Sequence, residues 1–439
     1  MARGLSLVLF LTAACLPTLL RCESQKLIVL LVDGMRWDYL DYDGFGEDGF
    51  RRIMRTGVRA EYLQPDFPTT SYPNYYSIMT GLHCESHGMV GNYMYDIVRN
   101  ESFLIGTNPD QYNAHWWDGG DPFWITATRQ GKRTYMYYWC GCEVEIRGLR
   151  PTQCQKYPNR PPTIDDTLGA ITDALNKLEE DKADFAGIYY ELADKYGHRS
   201  GPYSLLVMGF LRDLDAQLAF LVDDLDRRGL TDKVNVMIAS DHGMTSISPT
   251  RTIDLTRELS PEDVLITMDS GTPVLIWPRP GRLEQLYERL SGISEHLKVY
   301  KKEDIPERWY LKNGRLTPPL LAVADLGWTI LIPKYPHFPA SSATMTPLQG
   351  THGYDNTEPD MRGIFIATGP AFRKNEVTVP LRVTDLYQVM CKIVDVTPSP
   401  HNGTWDNVSG MLAETSSSVI YLNSLVVVLV VVLNFVLFS

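Results

Sequence analysis

Short, continuously apolar runs alternate along this chain with longer segments in which apolar residues recur every three or four positions. Lys26–Val32 (KLIVLLV), Phe185–Tyr190 (FAGIYY), 234–240 (VNVMIAS) and 363–368 (GIFIAT) are runs bounded by turn residues. Such runs predict strands buried on both faces. Residues 167–180 place Leu168, Ile171, Ala174, Leu175 and Leu178 at helical spacing. Residues 205–228 do the same with Val207, Phe210, Leu211, Leu214, Leu218, Leu221 and Leu225, and Gly229 supplies a stop. This alternation of strand and helix predicts an α/β core: a doubly wound, mostly parallel sheet with helices on both faces. The stretch 249–347 is richer in proline and short strand-like pieces and reads as an inserted lobe. After it, Gln349-Gly-Thr-His-Gly-Tyr-Asp-Asn356 returns to residues suited to a site.

The two ends carry addresses. Arg3 precedes an apolar stretch from Leu5 to Leu20, the pattern of a secretory signal peptide over 1–22. Ser416, Ser417 and Ser418 precede a short spacer and an apolar tail, 425–438, with no basic residue after it. Small residues, spacer and tail form the pattern of a GPI-attachment signal over 416–439, which leaves 23–415 as the folded domain. The expectation is therefore a chain on the extracellular face of the cell membrane, held by a glycolipid. Sequons at Asn100, Asn402 and Asn407 agree with that address, the last two on a stalk near the membrane. In an oxidising compartment the close set Cys140, Cys142 and Cys154 should hold a disulfide, Cys142 with Cys154 by first choice. Cys84 and Cys391, in apolar surroundings, read as buried thiols.

With 439 residues, 44% of them hydrophobic and 21% charged, the chain has material for a large core. A net charge of −12 and the lack of a Lys/Arg run make nucleic acid a poor partner.

Candidate chemistry sits just past the strand-like runs. The first run ends in Asp33-Gly34, another in Asp241-His242-Gly243-Met244, and the third is followed by Asp194 and His198. Ligands of open α/β sheets gather at the carboxyl ends of strands. A mixture of imidazole and carboxylate there suits zinc. Ser71, two residues before Pro73, would start a helix whose backbone N–H groups favour an anion. Beside metals it becomes a candidate nucleophile. His83 and His87, spaced i,i+4, lie in a loop-like stretch and read as structural. His115, His296, His337 and His401 read as surface or packing residues.

Six blocks occur in order between about residues 26 and 391: Val32-Asp-Gly-Met-Arg36, Ser71-Tyr-Pro-Asn-Tyr75, Gly91-Asn-Tyr93, Asp194-x-x-x-His198, Ser240-Asp-His-Gly-Met244 and His352-Gly-Tyr354. In these the chain resembles the ectonucleotide pyrophosphatase/phosphodiesterases of the alkaline phosphatase superfamily. The resemblance implies an alkaline-phosphatase-like fold and two Zn2+ ions. Asp194, His198 and His352 would hold one zinc; Asp33, Asp241, His242 and the Ser71 oxygen would hold the other. Two such ions about 4 Å apart clamp a phosphoryl group. Ser71 would attack phosphorus, and Asn92 would donate to a phosphate oxygen. Zinc-activated water would then hydrolyse the phospho-serine.

Within the family, Ser71-Tyr-Pro-Asn-Tyr-Tyr76, Tyr135-Met-Tyr-Tyr-Trp139 and a serine where nucleotide-hydrolysing members carry threonine look closest to the choline-specific glycerophosphodiesterase branch. That branch implies release of phosphocholine from glycerophosphocholine and choline lysophospholipids. Nucleotide pyrophosphatase/phosphodiesterase activity and sphingomyelinase-type phospholipase C activity are the alternatives. Expected substrate contacts are Asn92, Asp194 and an aromatic cage from Tyr72, Trp139, Tyr157 and Tyr189, with Glu143 or Asp269 as acidic help. A homodimer is left open.

Overall fold

The computed structural model describes residues 25–42, 46–105, 109–333 and 348–414. The expected signal peptide and attachment signal, and His337, lie outside the described residues. Among the described residues no helix is long and apolar enough to cross a membrane.

The strands of the main sheet and of a second sheet, in chain order, are β1 (Lys26–Val32), β2 (Gly57–Ala60), β3 (Thr134–Tyr137), β4 (Gln153–Gln155), β5 (Phe185–Tyr190), β6 (Val234–Ala239), β7 (Val264–Met268), β8 (Val274–Pro278), β9 (Leu297–Lys301), β10 (Leu320–Ala324), β11 (Phe365–Thr368) and β12 (Glu376–Thr378). The main helices are α1 (Ser71–Thr80), α2 (Ile164–Glu179), α3 (Leu192–Ser200), α4 (Leu205–Arg227), α5 (Leu283–Ser291) and α6 (Leu386–Val394). The strands and helices expected from periodicity therefore form within a few residues of their expected bounds.

The main sheet runs β12-β2-β11-β6-β1-β5-β3-β4. The pairings of β1 with β5 and β6, of β3 with β4 and β5, and of β12 with β2 are parallel. Only β11 runs against its neighbours. This is the mostly parallel, alkaline-phosphatase-like α/β sheet. Leu27 to Val32 are all buried, so both faces of β1 are covered. Helix α2 packs on β5 and against α4, whereas α6 packs on β1 and against α1. The helices thus form two groups, as a doubly wound sheet requires.

The second sheet, β7-β8-β10-β9, is antiparallel throughout. Its period of two divides its side chains cleanly. Leu275, Trp277, Leu321 and Val323 join the main core, while Val274, Ile276, Leu320 and Ala322 form a second cluster with Leu286 and Leu290 of α5.

Cys142 and Cys154 form the disulfide, and Cys84 and Cys391 are buried free thiols. Asn402 and Asn407 do not stand on an extended stalk. The Asn402 N–H donates to the Gly81 carbonyl at 2.7 Å. Buried Asp385 accepts from the Thr404 N–H at 2.7 Å and from Asn407 Nδ2 at 3.1 Å. A buried carboxylate needs such donors, and these fasten the segment to the body.

Because β1 is central and Leu30 fully packed, Leu30→Ala should lower stability by about 2–5 kcal/mol. A shift of the denaturation midpoint equivalent to under about 1 kcal/mol would mean that β1 is not the hub of the core.

Candidate metal centre and adjoining cavity

Three carboxylates meet because β6, β1 and β5 are adjacent parallel strands, with Val32 paired to Tyr190 and Leu31 to Ala239. Asp33 directly follows β1, Asp241 follows β6 by two residues, and Asp194 lies in the first turn of α3. Each leaves one oxygen buried without a hydrogen-bond partner: Asp33 Oδ1, Asp194 Oδ1 and Asp241 Oδ2. The other Asp241 oxygen accepts from the N–H groups of Gly34 at 3.1 Å and His242 at 2.9 Å. Gly34 must be glycine. Its φ is +67°, and a Cβ there would lie 2.8 Å from the Asp194 Cα.

Three imidazoles face these oxygens in one manner. Their Nδ1 atoms are held by backbone carbonyls: His198 by Gly350 at 2.9 Å, His242 by Gly243 at 2.8 Å and His352 by Thr69 at 2.9 Å. A carbonyl only accepts, so each ring carries its proton on Nδ1 and turns a lone pair on Nε2 into the site. His198 Nε2 and His352 Nε2 lie 3.0 Å apart and each is 3.4 Å from Asp194 Oδ1. His242 Nε2 lies 3.5 Å from Asp33 Oδ1 and 3.3 Å from Asp241 Oδ2. Facing lone pairs and orphaned carboxylate oxygens repel unless a cation sits among them. Two groups, Asp194–His198–His352 and Asp33–Asp194–His242, have ligand atoms close enough to share an ion. Burial, with the nearby Asp33 charge adding to it, pushes the Asp194 and Asp241 carboxyls well above the usual carboxylate range. Burial pushes His352 well down, with His242 and His198 adding to the shift. A divalent cation reverses both costs, and this mixed nitrogen and oxygen donor set suits zinc.

Ser71 is the first residue of α1, and its Oγ lies 3.2 Å from His242 Nε2. The loop before it is braced by Asn74, whose Nδ2 donates to the carbonyls of Thr70 at 2.9 Å and Pro68 at 3.1 Å. Thr69 of that loop also holds His352, so one turn of backbone sets both the serine and an imidazole. Asn92 Oδ1 accepts from the Tyr72 N–H at 2.9 Å, which turns its amide NH2 away from that contact. Asp269 does not supply acidic help at a cage. It accepts from the Asn92 N–H at 3.1 Å and holds that turn in place.

The chain matches the Type I phosphodiesterase / nucleotide pyrophosphatase family over residues 27–355. It is 37% identical over 393 residues to the human ectonucleotide pyrophosphatase/phosphodiesterase family member 5, covering 90% of this chain and 79% of that protein. It is 36% identical over 392 residues to the bis(5'-adenosyl)-triphosphatase enpp4 of Xenopus laevis, covering 89% and 82%. A solved structure of murine ectonucleotide pyrophosphatase/phosphodiesterase 5, inactive and in complex with AMP, is similar with a TM-score of 0.81 at 37% identity. That likeness covers 89% of this chain and 100% of the murine one. The chain belongs to the ectonucleotide pyrophosphatase/phosphodiesterase family. These relatives' names agree with the nucleotide alternative better than with the choline reading.

Beside the metal centre this phosphodiesterase has a cavity of about 640 Å³. Tyr72, Tyr157, Tyr189 and Glu143 line it, as expected from the sequence. Trp139 does not; it is 2% exposed and belongs to the main core, so it is no cage residue. Unforeseen lining residues are Tyr75, Tyr112, Trp117 and Glu191. Glu191 accepts from the Tyr157 hydroxyl at 2.5 Å. Its position one residue after β5 was a readable signal, the same that marks Asp33 after β1. Glu143 and Glu191 both have carboxyls raised by burial, Glu191 to about 7.

His83 and His87 stay outside the centre, and His87 ends a one-turn helix, Cys84–His87, where a loop was expected. The His83 Nδ1–H donates to Asp66 at 3.0 Å. His87 accepts from the Met89 N–H at 3.1 Å through Nδ1, so its Nε2–H donates to Ser77 Oγ at 2.9 Å. Burial pushes His87 down to about 3, which keeps it neutral.

Purified protein should contain zinc, and His352→Ala should retain at least tenfold less of it against a chelator, because each protein ligand supplies a large share of site affinity. Elemental analysis checks this; unchanged zinc in the variant would remove His352 from the ligand set.

Proposed function

We propose that this chain is a two-zinc phosphodiesterase that holds a choline head group in the cavity and releases phosphocholine from glycerophosphocholine and choline lysophospholipids. The observation that carries this reading is the chemistry of the cavity beside Ser71. Five tyrosines and a tryptophan face it together with the half-buried carboxylates of Glu143 and Glu191, and among the described residues Arg160 is its one basic lining residue. Aromatic faces and carboxylates hold a quaternary ammonium well.

Bound zinc supplies charge stabilisation at the phosphoryl oxygens and lowers the pKa of the serine hydroxyl and of water. Asp194, His198 and His352 would hold one ion; Asp33, Asp241, His242 and Ser71 Oγ would hold the other. The chain's own residues then do the rest. Ser71 Oγ forms a bond to phosphorus as the bond to the glycerol oxygen breaks. The glycerol leaves, and phosphocholine stays on the serine with its head group in the cavity. Water then displaces Ser71 Oγ and gives free phosphocholine. The α1 N-terminus and the Asn92 amide NH2 stabilise the phosphoryl oxygens.

A nucleotide diester is the second reading, favoured by the bis(5'-adenosyl)-triphosphatase relatives and by the AMP complex of the murine protein. In that case the same tyrosines stack a base.

A substrate panel separates the two. Glycerophosphocholine should turn over faster than glycerophosphoethanolamine, whose primary ammonium is more strongly hydrated, and faster than nucleotide diesters. Faster cleavage of a nucleotide diester would decide for the second reading. Tyr157→Ala should raise KM for choline diesters roughly tenfold, since a desolvated cation–π contact is worth about 2 kcal/mol. An aryl phosphodiester without an ammonium group should be affected less.

The reading also fixes a pH dependence. Desolvation raises the Glu191 carboxyl to about 7, with the Asp33 charge adding to the shift and the Tyr157 hydrogen bond opposing it. A cation binds the ionised form, so affinity is complete above that value and is lost as pH falls through it. KM for glycerophosphocholine should therefore rise on acidification, whereas Glu191→Gln should give a high KM with no such rise.

A further inference from the structure

The two oxygens of Asp33 have different fates. Oδ1 is buried without a partner and faces His242 Nε2 at 3.5 Å. Oδ2 is the shared target of two phenols. Tyr189 donates to it at 2.5 Å, Tyr75 donates to it as well, and the two hydroxyls lie 2.7 Å apart. Each phenol has one proton, and a carboxylate oxygen accepts both. The two tyrosines reach Asp33 from separate elements. Tyr75 sits on α1, four residues and one turn after Ser71, and Tyr189 is the penultimate residue of β5. Their rings pack edge to face with centroids 5.2 Å apart, and both rings wall the cavity.

We propose that Tyr75 and Tyr189 are positioning residues: their hydroxyls occupy Asp33 Oδ2, so that only Oδ1 is offered to the metal, while their rings wall the head-group cavity. This rests on the reading of Asp33 as a metal ligand. A carboxylate held by two donors cannot rotate to chelate through both oxygens or swing toward the cavity. The metal's oxygen ligand is thus fixed by the same side chains that shape the space for the substrate. Partners of this kind typically set metal affinity or activity over a ten- to hundredfold range.

Phenylalanine at either position keeps the ring and removes only the hydroxyl. The test compares Tyr75→Phe, Tyr189→Phe and the double variant with the native protein. The readouts are zinc retained per chain across a chelator series, and kcat and KM for the panel's best substrate. The double variant should lose zinc at roughly ten- to hundredfold lower chelator concentration, with a fall in kcat and KM within about threefold of native. Tyr157→Phe, whose hydroxyl meets Glu191 and not Asp33, should retain zinc as the native protein does. Circular dichroism and melting of the zinc-free proteins should coincide, which separates a lost ligand position from a damaged fold. Native zinc retention in the double variant, or a change in KM alone, would overturn the proposal and leave the tyrosines as cavity wall. Loss of zinc only in step with a lower melting temperature of the zinc-free protein would overturn it as well. Full zinc retention by Asp33→Ala would instead bring down the ligand reading on which it rests.

Discussion

The structure turns on an electrostatic cost: three carboxylates, buried Asp33 and Asp241 and half-buried Asp194, are brought together with one buried oxygen each left unpaired. Unpaired buried charge is among the most expensive things a fold can hold. Here the cost is concentrated at one sheet edge, and three imidazoles with Nε2 lone pairs point at the same place. Such an arrangement gains stability from a cation and from little else. The surrounding backbone serves it. Carbonyls of Gly243, Gly350 and Thr69 fix the imidazoles, N–H groups of Gly34 and His242 fix Asp241, and the phenols of Tyr75 and Tyr189 fix Asp33.

The same elements place the cavity. Helix α1 begins at Ser71, so the adjacent Tyr72 and, one turn on, Tyr75 enter the cavity wall. Strand β5 ends in Tyr189 and Tyr190, and the chain supplies Glu191 to the cavity before Asp194 reaches the metal centre. Chemistry and recognition therefore share two short segments. A change of substrate preference in this framework is easiest through side chains that touch only the cavity, such as Tyr157 and Glu143.

Much of this was legible in the chain. Short, continuous apolar runs bounded by turn residues read as strands covered on both faces, and β1, β5 and β6 form where those runs stand. Asp33, Asp194 and Asp241 were visible because each follows such a run, and parallel adjacency then forces them together. A disulfide within the close set Cys140, Cys142 and Cys154 was legible, with Cys142–Cys154 the first choice, and the structure leaves Cys140 as the free thiol. Trp139 misled because a residue next to an aromatic run carries no sign of which way it faces. The stalk expected around Asn402 and Asn407 misled because its fastening depends on Asp385, a carboxylate that local pattern does not mark as buried.

The sequence by itself determined the α/β class, the strand ends that bear carboxylates and the chemical type of the centre, since these follow from periodicity and from residue types next to turns. Tertiary structure decided which imidazole nitrogen faces inward, which Asp33 oxygen is free, and that Glu191 rather than Trp139 belongs to the cavity. His242 is turned by its own neighbour Gly243, but the other outcomes depend on contacts between separate segments, such as Tyr189 with Asp33, His352 with Thr69 and Tyr157 with Glu191. No local pattern of apolar and polar positions encodes the direction of a side chain toward a partner so distant in the chain.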